Sequence, residues 1–265
     1  RTRICPMFVD WKPAEESVDV LKALIEERAL QYRNEYGKYY AGHATKDSPR
    51  LRDSNPSVVI VPGLGLFGFG KNKKEARITT EFFVNAIHVM SGANALESGE
   101  AATHPYPQAR RPEHSQSFAS FHNYVALPRS EAFRIEYWAL EEAKLQRMPP
   151  EAEFSRKIVL VVGGGSGIGR EVALLLARKG AHVVVADQNE AGAKEVAAEA
   201  NAVHTTVDLS SSESIAAAAE FTVLEFGGID AIVNTAAIFP VAGANGQLTE
   251  AQCNKTFLVN GTGNY

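Results

Sequence analysis

Hydrophobic positions follow two different rhythms along this chain. From about residue 157 onward, short unbroken apolar runs alternate with segments of helical period; before that, helical segments are separated by long polar stretches. Residues 14–36 predict an amphipathic helix, with Val18, Leu21, Ile25, Ala29 and Tyr32 on one face and Glu15, Glu16, Lys22, Glu26 and Glu27 off it. The segment from Ile4 to Val9 reads as buried, and His43 to Pro56 as a loop. Ser57 to Val61 predicts a buried strand, and an aromatic, glycine-spaced segment through Gly70 follows it. A helix is predicted from about Lys73 to Met90, its apolar face made by Ile78, Phe82, Ala86 and Val89. Residues 91–121, rich in Gly, Ser, Pro, His and Gln and without period, read as a loop or insertion. One further helix is expected from Glu131 to Arg147 with Ser130 as its N-cap, stopped by Pro149-Pro150.

After a linker at 151–156, strands are predicted at 158–162, 182–186, 203–207 and 230–234. Helices are predicted at 167–179, 190–200, 211–226 and 249–262, the third opened by a capping box of Ser210 and Glu213. In the first of these helices Ile168, Val172, Leu174, Leu175 and Leu176 are expected to fill one broad apolar face. Strands and helices alternating at these lengths imply parallel βαβ units with right-handed crossovers. The expected fold class is therefore α/β, with residues 157–265 forming the N-terminal half of a doubly wound parallel Rossmann sheet.

Composition narrows the setting. The chain has 265 residues, 45% hydrophobic and 22% charged, as in ordinary soluble globular proteins. A net charge of −4 gives no footprint for nucleic acid, and no apolar run is long enough to span a bilayer. Two distant cysteines, Cys5 and Cys253, form no disulfide framework, so a cytoplasmic setting is expected. The histidines share no metal-ligand spacing. The chain starts at Arg1 rather than Met and stops at Tyr265 in what reads as mid-helix, so a piece of a longer polypeptide is expected.

Chemistry concentrates at Val162-Gly163-Gly164-Gly165-Ser166-Gly167-Ile168-Gly169. Strand, glycine turn and helix in that order place backbone N–H groups and a helix N-terminus around a phosphate. The second strand ends in Asp187, near the spacing of roughly 20 residues at which a carboxylate bonds the adenosine ribose hydroxyls. A carboxylate there accepts from ribose and repels a 2′-phosphate, so NAD is the expected nucleotide.

At this point the chain resembles the short-chain dehydrogenase/reductase family, over residues 157–265. The resemblance rests on Gly163-x-x-x-Gly167-x-Gly169, Asp208-Leu209, Phe226-Gly227-Gly228-Ile229-Asp230, Asn234-Thr235-Ala236-Ala237, and Val259-Asn260. It implies cofactor contacts from Gly163, Gly165, Ser166, Gly167, Ile168, Gly169, Asp187, Asp208, Leu209, Asn234 and Ala236, with Asn260 as the helix Asn of the catalytic tetrad. Val162 stands where the family usually has Thr, which removes a hydroxyl from the turn. Asp208 also reads as a helix cap, and Asn234 as an architectural residue between strands. No Tyr in the chain has a Lys four residues later, so the family's acid/base pair is missing from these residues.

Residues 57–90 are similar to the end of the class II aldolase fold, through Leu64-Gly65, Gly70-Lys71 and Glu75-Ala76. Leu64 occupies the place of that family's zinc-binding His, so no metal ligand is assigned here. The order of the two parts resembles the bifunctional rhamnulose-1-phosphate aldolase/short-chain dehydrogenase proteins, making residues 1–150 an α+β aldolase-like region. That resemblance implies zinc only in an aldolase site upstream of Arg1. It further implies NAD-dependent oxidation of the released lactaldehyde and a homo-oligomeric full-length protein acting on a small-molecule substrate. Two rivals stay open: a single dehydrogenase with an unrelated N-terminal extension, and a non-catalytic nucleotide-binding scaffold.

Overall fold

The computed structural model describes residues 3, 5–98, 126–243 and 246–264, without the side chains of 96–98 and 264. Most of the loop expected at 91–121 lies outside these residues. The chain forms two compact units, Arg1–Pro149 and Pro150–Tyr265.

The first unit is built on a small mixed sheet. Strand β1 (Met7–Phe8) pairs in parallel with β2 (Val58–Val61), which pairs antiparallel with β3 (Gly65–Gly68). Helix α1 (Val18–His43) is capped by the Ser17 hydroxyl, which accepts from the Val20 N–H. Its buried face is aromatic: Tyr32, Tyr36 and Tyr39 pack with Phe133, Tyr137, Val9 and Trp11. Helix α2 (Lys73–Ser98) follows β3; then α3 (Arg129–Glu136) and α4 (Ala139–Gln146) close the unit.

Several expectations change here. Helix α1 runs seven residues past 36, and Val18 (61% exposed) and Ile25 lie on the surface; Leu21 and Ala29 do pack inward. Helix α2 continues through Ser98, and Ile78, Phe82 and Val89 are exposed rather than forming a covered face. The helix expected at 131–147 is two helices broken at Tyr137-Trp138, with Pro128 rather than Ser130 at the N-cap position. The break lets Tyr137 turn inward to stack on Phe133, centroids 4.6 Å apart, while Trp138 faces solvent.

That interior also holds charge. Glu136 Oε1 accepts from Arg3 Nη1 at 3.1 Å and from the Tyr36 hydroxyl, which also meets the Tyr137 hydroxyl at 2.7 Å. The Arg3 guanidinium lies over the Tyr36 ring, 4.3 Å from its centroid. Burial pushes the phenols of Tyr32, Tyr36, Tyr39 and Tyr137 above their ordinary range.

The second unit is a four-stranded parallel sheet in the order β6-β5-β4-β7, from β4 (Ile158–Val162), β5 (His182–Asp187), β6 (Val203–Thr206) and β7 (Ala231–Asn234). Strands buried on both faces read as continuous apolar runs, which is why β4 and β5 do. Val159, Val161, Val183 and Val185 pack under α5 (Gly167–Arg178) and α6 (Glu190–Ala200). Leu160, Val162, Val184 and Ala186 face the opposite layer, with Ala218 of α7 (Ser212–Phe226) and Val259 of α8 (Glu250–Asn260). The half-sheet expectation holds. Three details differ: Ile168 (77% exposed) and Leu175 leave the apolar face of α5, Ser211 rather than Ser210 caps α7, and α8 ends at Asn260 before a 3₁₀ turn.

Candidate nucleotide site

The glycine turn sits where the carboxyl ends of β4 and β5 meet the N-terminus of α5. Gly163 and Gly167 adopt positive φ, 76° and 53°, which L side chains reach only at a cost. Gly169 is required for a different reason. A Cβ there would fall on the Gly163 carbonyl and 2.5 Å from the Thr235 hydroxyl oxygen, so only glycine lets α5 start this close to the strand ends.

The turn's first amides are spent internally. Gly163 and Gly164 both donate to the Ala186 carbonyl, at 2.8 and 3.1 Å, and Gly165 donates to Asp187 Oδ2 at 2.9 Å. Gly163 and Gly165, expected at the cofactor, therefore shape the turn rather than offer free donors. The N–H groups left for an anion are those of the first turn of α5, at Gly167, Ile168 and Gly169, which have no carbonyl one turn back. Ser166, the N-cap residue, is extended and its side chain makes no capping bond to them.

Asp187 stands beside that opening. Oδ2 takes the Gly165 amide and Oδ1 the Asn189 amide, each at 2.9 Å. Each carboxylate oxygen has two lone pairs, so one on each remains for the hydroxyls of a cis-diol. Asp208, after β6, is held comparably: Oδ1 accepts from the Ser210 amide at 2.8 Å and its hydroxyl at 2.6 Å, and Oδ2 from Gln188 Nε2 at 3.2 Å. These bonds, the Ser210 hydroxyl first, keep its carboxyl below the usual range. Leu209 is instead a buried residue of the α7–α8 layer.

On the other side, Asn234 Oδ1 accepts from the Ala236 amide at 3.0 Å, and a Cβ on Gly163 would fall 2.6 Å from that same amide nitrogen. The chain after β7 thus presses against the glycine turn at Ala236. Asn260 grips this segment from α8: Oδ1 accepts from the Ile238 N–H and Nδ2 donates to the Ile238 carbonyl, both at 2.9 Å. Asp230 ties β7 to β4 at the far end, where the Ile158 amide and then Lys157 lower its carboxyl.

The residues selected in the sequence thus divide. Ser166, Gly167, Ile168, Gly169, Asp187 and Asp208 lie at the carboxyl ends of the strands, while Gly163, Gly165, Asn234, Ala236 and Asn260 fix the backbone around them. Sequence reasoning misses Thr235, although its hydroxyl lies at 3.0 Å from the Val162 carbonyl. The signal is Val162 itself: a strand end without a hydroxyl, beside a strand that supplies one. In the first unit Leu64 is exposed in the turn between β2 and β3. Among the described residues no cluster of three or more His, Cys, Asp or Glu could hold a metal, and no helix is long and apolar enough to cross a membrane.

Residues 1–145 match the family described as aldolase class II, second domain, and residues 157–265 match short chain dehydrogenase. A Bacillus subtilis protein named as the uncharacterized oxidoreductase YuxG is 33% identical over 89% of this chain, which spans 32% of that relative's length. The short chain dehydrogenase/reductase astE of Aspergillus oryzae is 44% identical over 39% of this chain and 42% of its own. Among solved structures, a 3-ketoacyl-(acyl-carrier-protein) reductase from Brucella melitensis is 33% identical, with a TM-score of 0.39 over 40% of this chain and 45% of that one. The chain belongs to the aldolase class II family through residues 1–145, and its residues 157–265 are similar to the short chain dehydrogenase family.

Proposed function

We propose that the second unit binds NAD(H) and is the cofactor half of a dehydrogenase that oxidises the aldehyde released by the aldolase it is fused to. The observation that carries this reading is Asp187: a carboxylate fixed by two backbone amides, with one lone pair free on each oxygen, beside an uncapped helix N-terminus. The adenosine ribose would rest on Asp187, its adenine near Asp208, and the pyrophosphate on the first turn of α5. When bound, the nicotinamide accepts the hydride. Asn260 and Asn234 keep the segment after β7 in place on the side where the nicotinamide would lie.

The substrate assignment follows the likeness in domain order to rhamnulose-1-phosphate aldolase/dehydrogenase proteins. The aldolase part would cleave a ketose 1-phosphate to dihydroxyacetone phosphate and lactaldehyde, with its zinc held by residues other than these, and the dehydrogenase would oxidise lactaldehyde. We place the protein in the cytoplasm as a homo-oligomer. Residues 1–265 hold no Tyr with a Lys four residues on, so they transfer no hydride by themselves.

The test is titration of the chain with NAD and NADP, followed by lactaldehyde-dependent NADH formation in the polypeptide extended through a Tyr-x-x-x-Lys segment. NAD should bind more tightly, and Asp187→Ala should narrow the difference. Equal or tighter NADP binding by the unsubstituted chain overturns the cofactor assignment, and turnover by residues 1–265 alone overturns the division of labour.

A further inference from the structure

The glycine turn is bonded to β5 through Ala186 and Asp187, and on its β7 side the Thr235 side chain reaches across to it. The Thr235 hydroxyl lies 3.0 Å from the Val162 carbonyl and 3.3 Å from that of Gly163. A hydroxyl has one proton to donate, so the two carbonyls share it. The Thr235 amide donates to the same Val162 carbonyl at 2.9 Å. The hydroxyl oxygen also sits over Gly169, where a Cβ would come within 2.5 Å of it. It therefore meets the end of β4, the left-handed Gly163 and the first turn of α5 together.

This placement matters because the Val162 side chain carries no polar atom and is buried. Nothing on the β4 side chain can hold the carbonyls of Val162 and Gly163, and their orientation sets the direction of the peptide planes entering the turn. We infer that Thr235 is a positioning residue for the pyrophosphate: its hydroxyl, reaching over from β7, fixes the turn so that the α5 amides point at the anion. The inference rests on the dinucleotide reading above and assigns Thr235 no contact with ligand. Its effect falls on the phosphate part of the ligand first, because Asp187 is also held by the Asn189 amide and Asp208 by the Ser210 amide, both outside the turn.

The experiment compares Thr235→Val, which keeps the shape and removes the hydroxyl, with Thr235→Ser, which keeps the hydroxyl. Binding of ADP-ribose and of adenosine to the 265-residue chain is measured by calorimetry. Loss of one such hydrogen bond predicts a fall in ADP-ribose affinity of roughly 3- to 10-fold for Thr235→Val, with adenosine unchanged and Thr235→Ser close to wild type. Hydrogen exchange should also quicken at the bonded amides of residues 163–165 while the β5 amides keep their protection, and this readout does not depend on ligand. Equal ADP-ribose binding by wild type and Thr235→Val, or equal losses for ADP-ribose and adenosine, overturns the inference and leaves the dinucleotide reading standing. Failure of the wild-type chain to bind ADP-ribose overturns both. If Thr235→Val does not fold, Thr235→Ala set against Thr235→Ser decides: a selective ADP-ribose loss in Thr235→Ala alone supports the role, and equal affinity of the two variants overturns it.

Discussion

Replacing Glu136 with Gln should destabilise the first unit by about 3 kcal/mol, the lower end of the range for breaking a buried ion pair from one side. The side chains of Glu136 and Arg3 are only 5% and 12% exposed. The amide side chain of the variant would keep an oxygen for Arg3 and the Tyr36 hydroxyl, but the guanidinium would lose its counter-charge. Arg3 also donates to the Asp53 carbonyl and reaches solvent slightly, which is why the lower end applies. Both tryptophans of the chain, Trp11 and Trp138, lie in this unit, so their fluorescence in urea follows its unfolding without a signal from the other. With a slope of about 2 kcal/mol/M, the midpoint should fall by about 1.5 M. Arg52→Ala is the control. It removes the partner of Glu142 in a pair whose arginine is 42% exposed, and should cost under about 1 kcal/mol. Replacing Arg3 and Glu136 together, by Met and Gln, should cost less than the sum of the single changes. A Glu136→Gln midpoint within about 0.3 M of wild type, on the same slope, would refute the reasoning, because it would mean that water already screens the pair.

Raised phenol values give a pH window for the same unit. In the folded state Tyr32, Tyr36, Tyr39 and Tyr137 hold their protons beyond the ordinary value of 10.0, so their contribution is intact below it and is lost as pH climbs toward the folded values. The urea midpoint from tryptophan fluorescence should therefore fall between about pH 9 and about pH 11; an unchanged midpoint contradicts the burial. In the second unit, Gly169→Ala forces a methyl onto backbone and should cost about 3 kcal/mol, whereas Gly167→Ala meets nothing within 4 Å and costs about 1 kcal/mol for its positive φ. Thermal unfolding of the two variants, read by circular dichroism, should rank Gly169→Ala the less stable, and the reverse order refutes the packing argument. Strand β7 is bonded on one side to β4 and carries Ile232 at 60% exposure, so Ile232→Lys should raise the concentration at which residues 1–265 aggregate. Light scattering that shows no difference would mean that this edge is not what associates.

The second unit was legible because its signals are local and agree with one another. Ile158 to Val162 and Val183 to Ala186 could be nothing but strands covered on both faces, and Gly163, Gly167 and Gly169 stand where backbone geometry admits little else. The first unit hid more. Strand β3 sets Leu66 and Phe67 between two glycines, and its pairing with β2 is a tertiary fact. Helix α1 continues through Gly37 and Gly42 because Tyr36, Tyr39 and Tyr40 find an aromatic interior supplied by residues nearly one hundred positions away. The break at Tyr137 has no proline or glycine to announce it. Within the site, local spacing located Asp187 but could not tell that the Gly163 and Gly165 amides are already spent, since their acceptors lie on β5.

Alternation within β4 and β5 has a consequence for how the second unit can change. Odd-numbered residues from Val159 to Val185 serve the α5–α6 layer, and even-numbered ones from Leu160 to Ala186 serve α7 and α8. A pleated backbone is a partition between two cores that share no side chain. Substitutions of opposite parity, such as Val161→Ala with Val184→Ala, should combine additively, while two of the same parity compete for the same packing and should not. Each layer can thus drift in sequence without asking the other to follow, and the glycine turn, held from both, is where their independence ends.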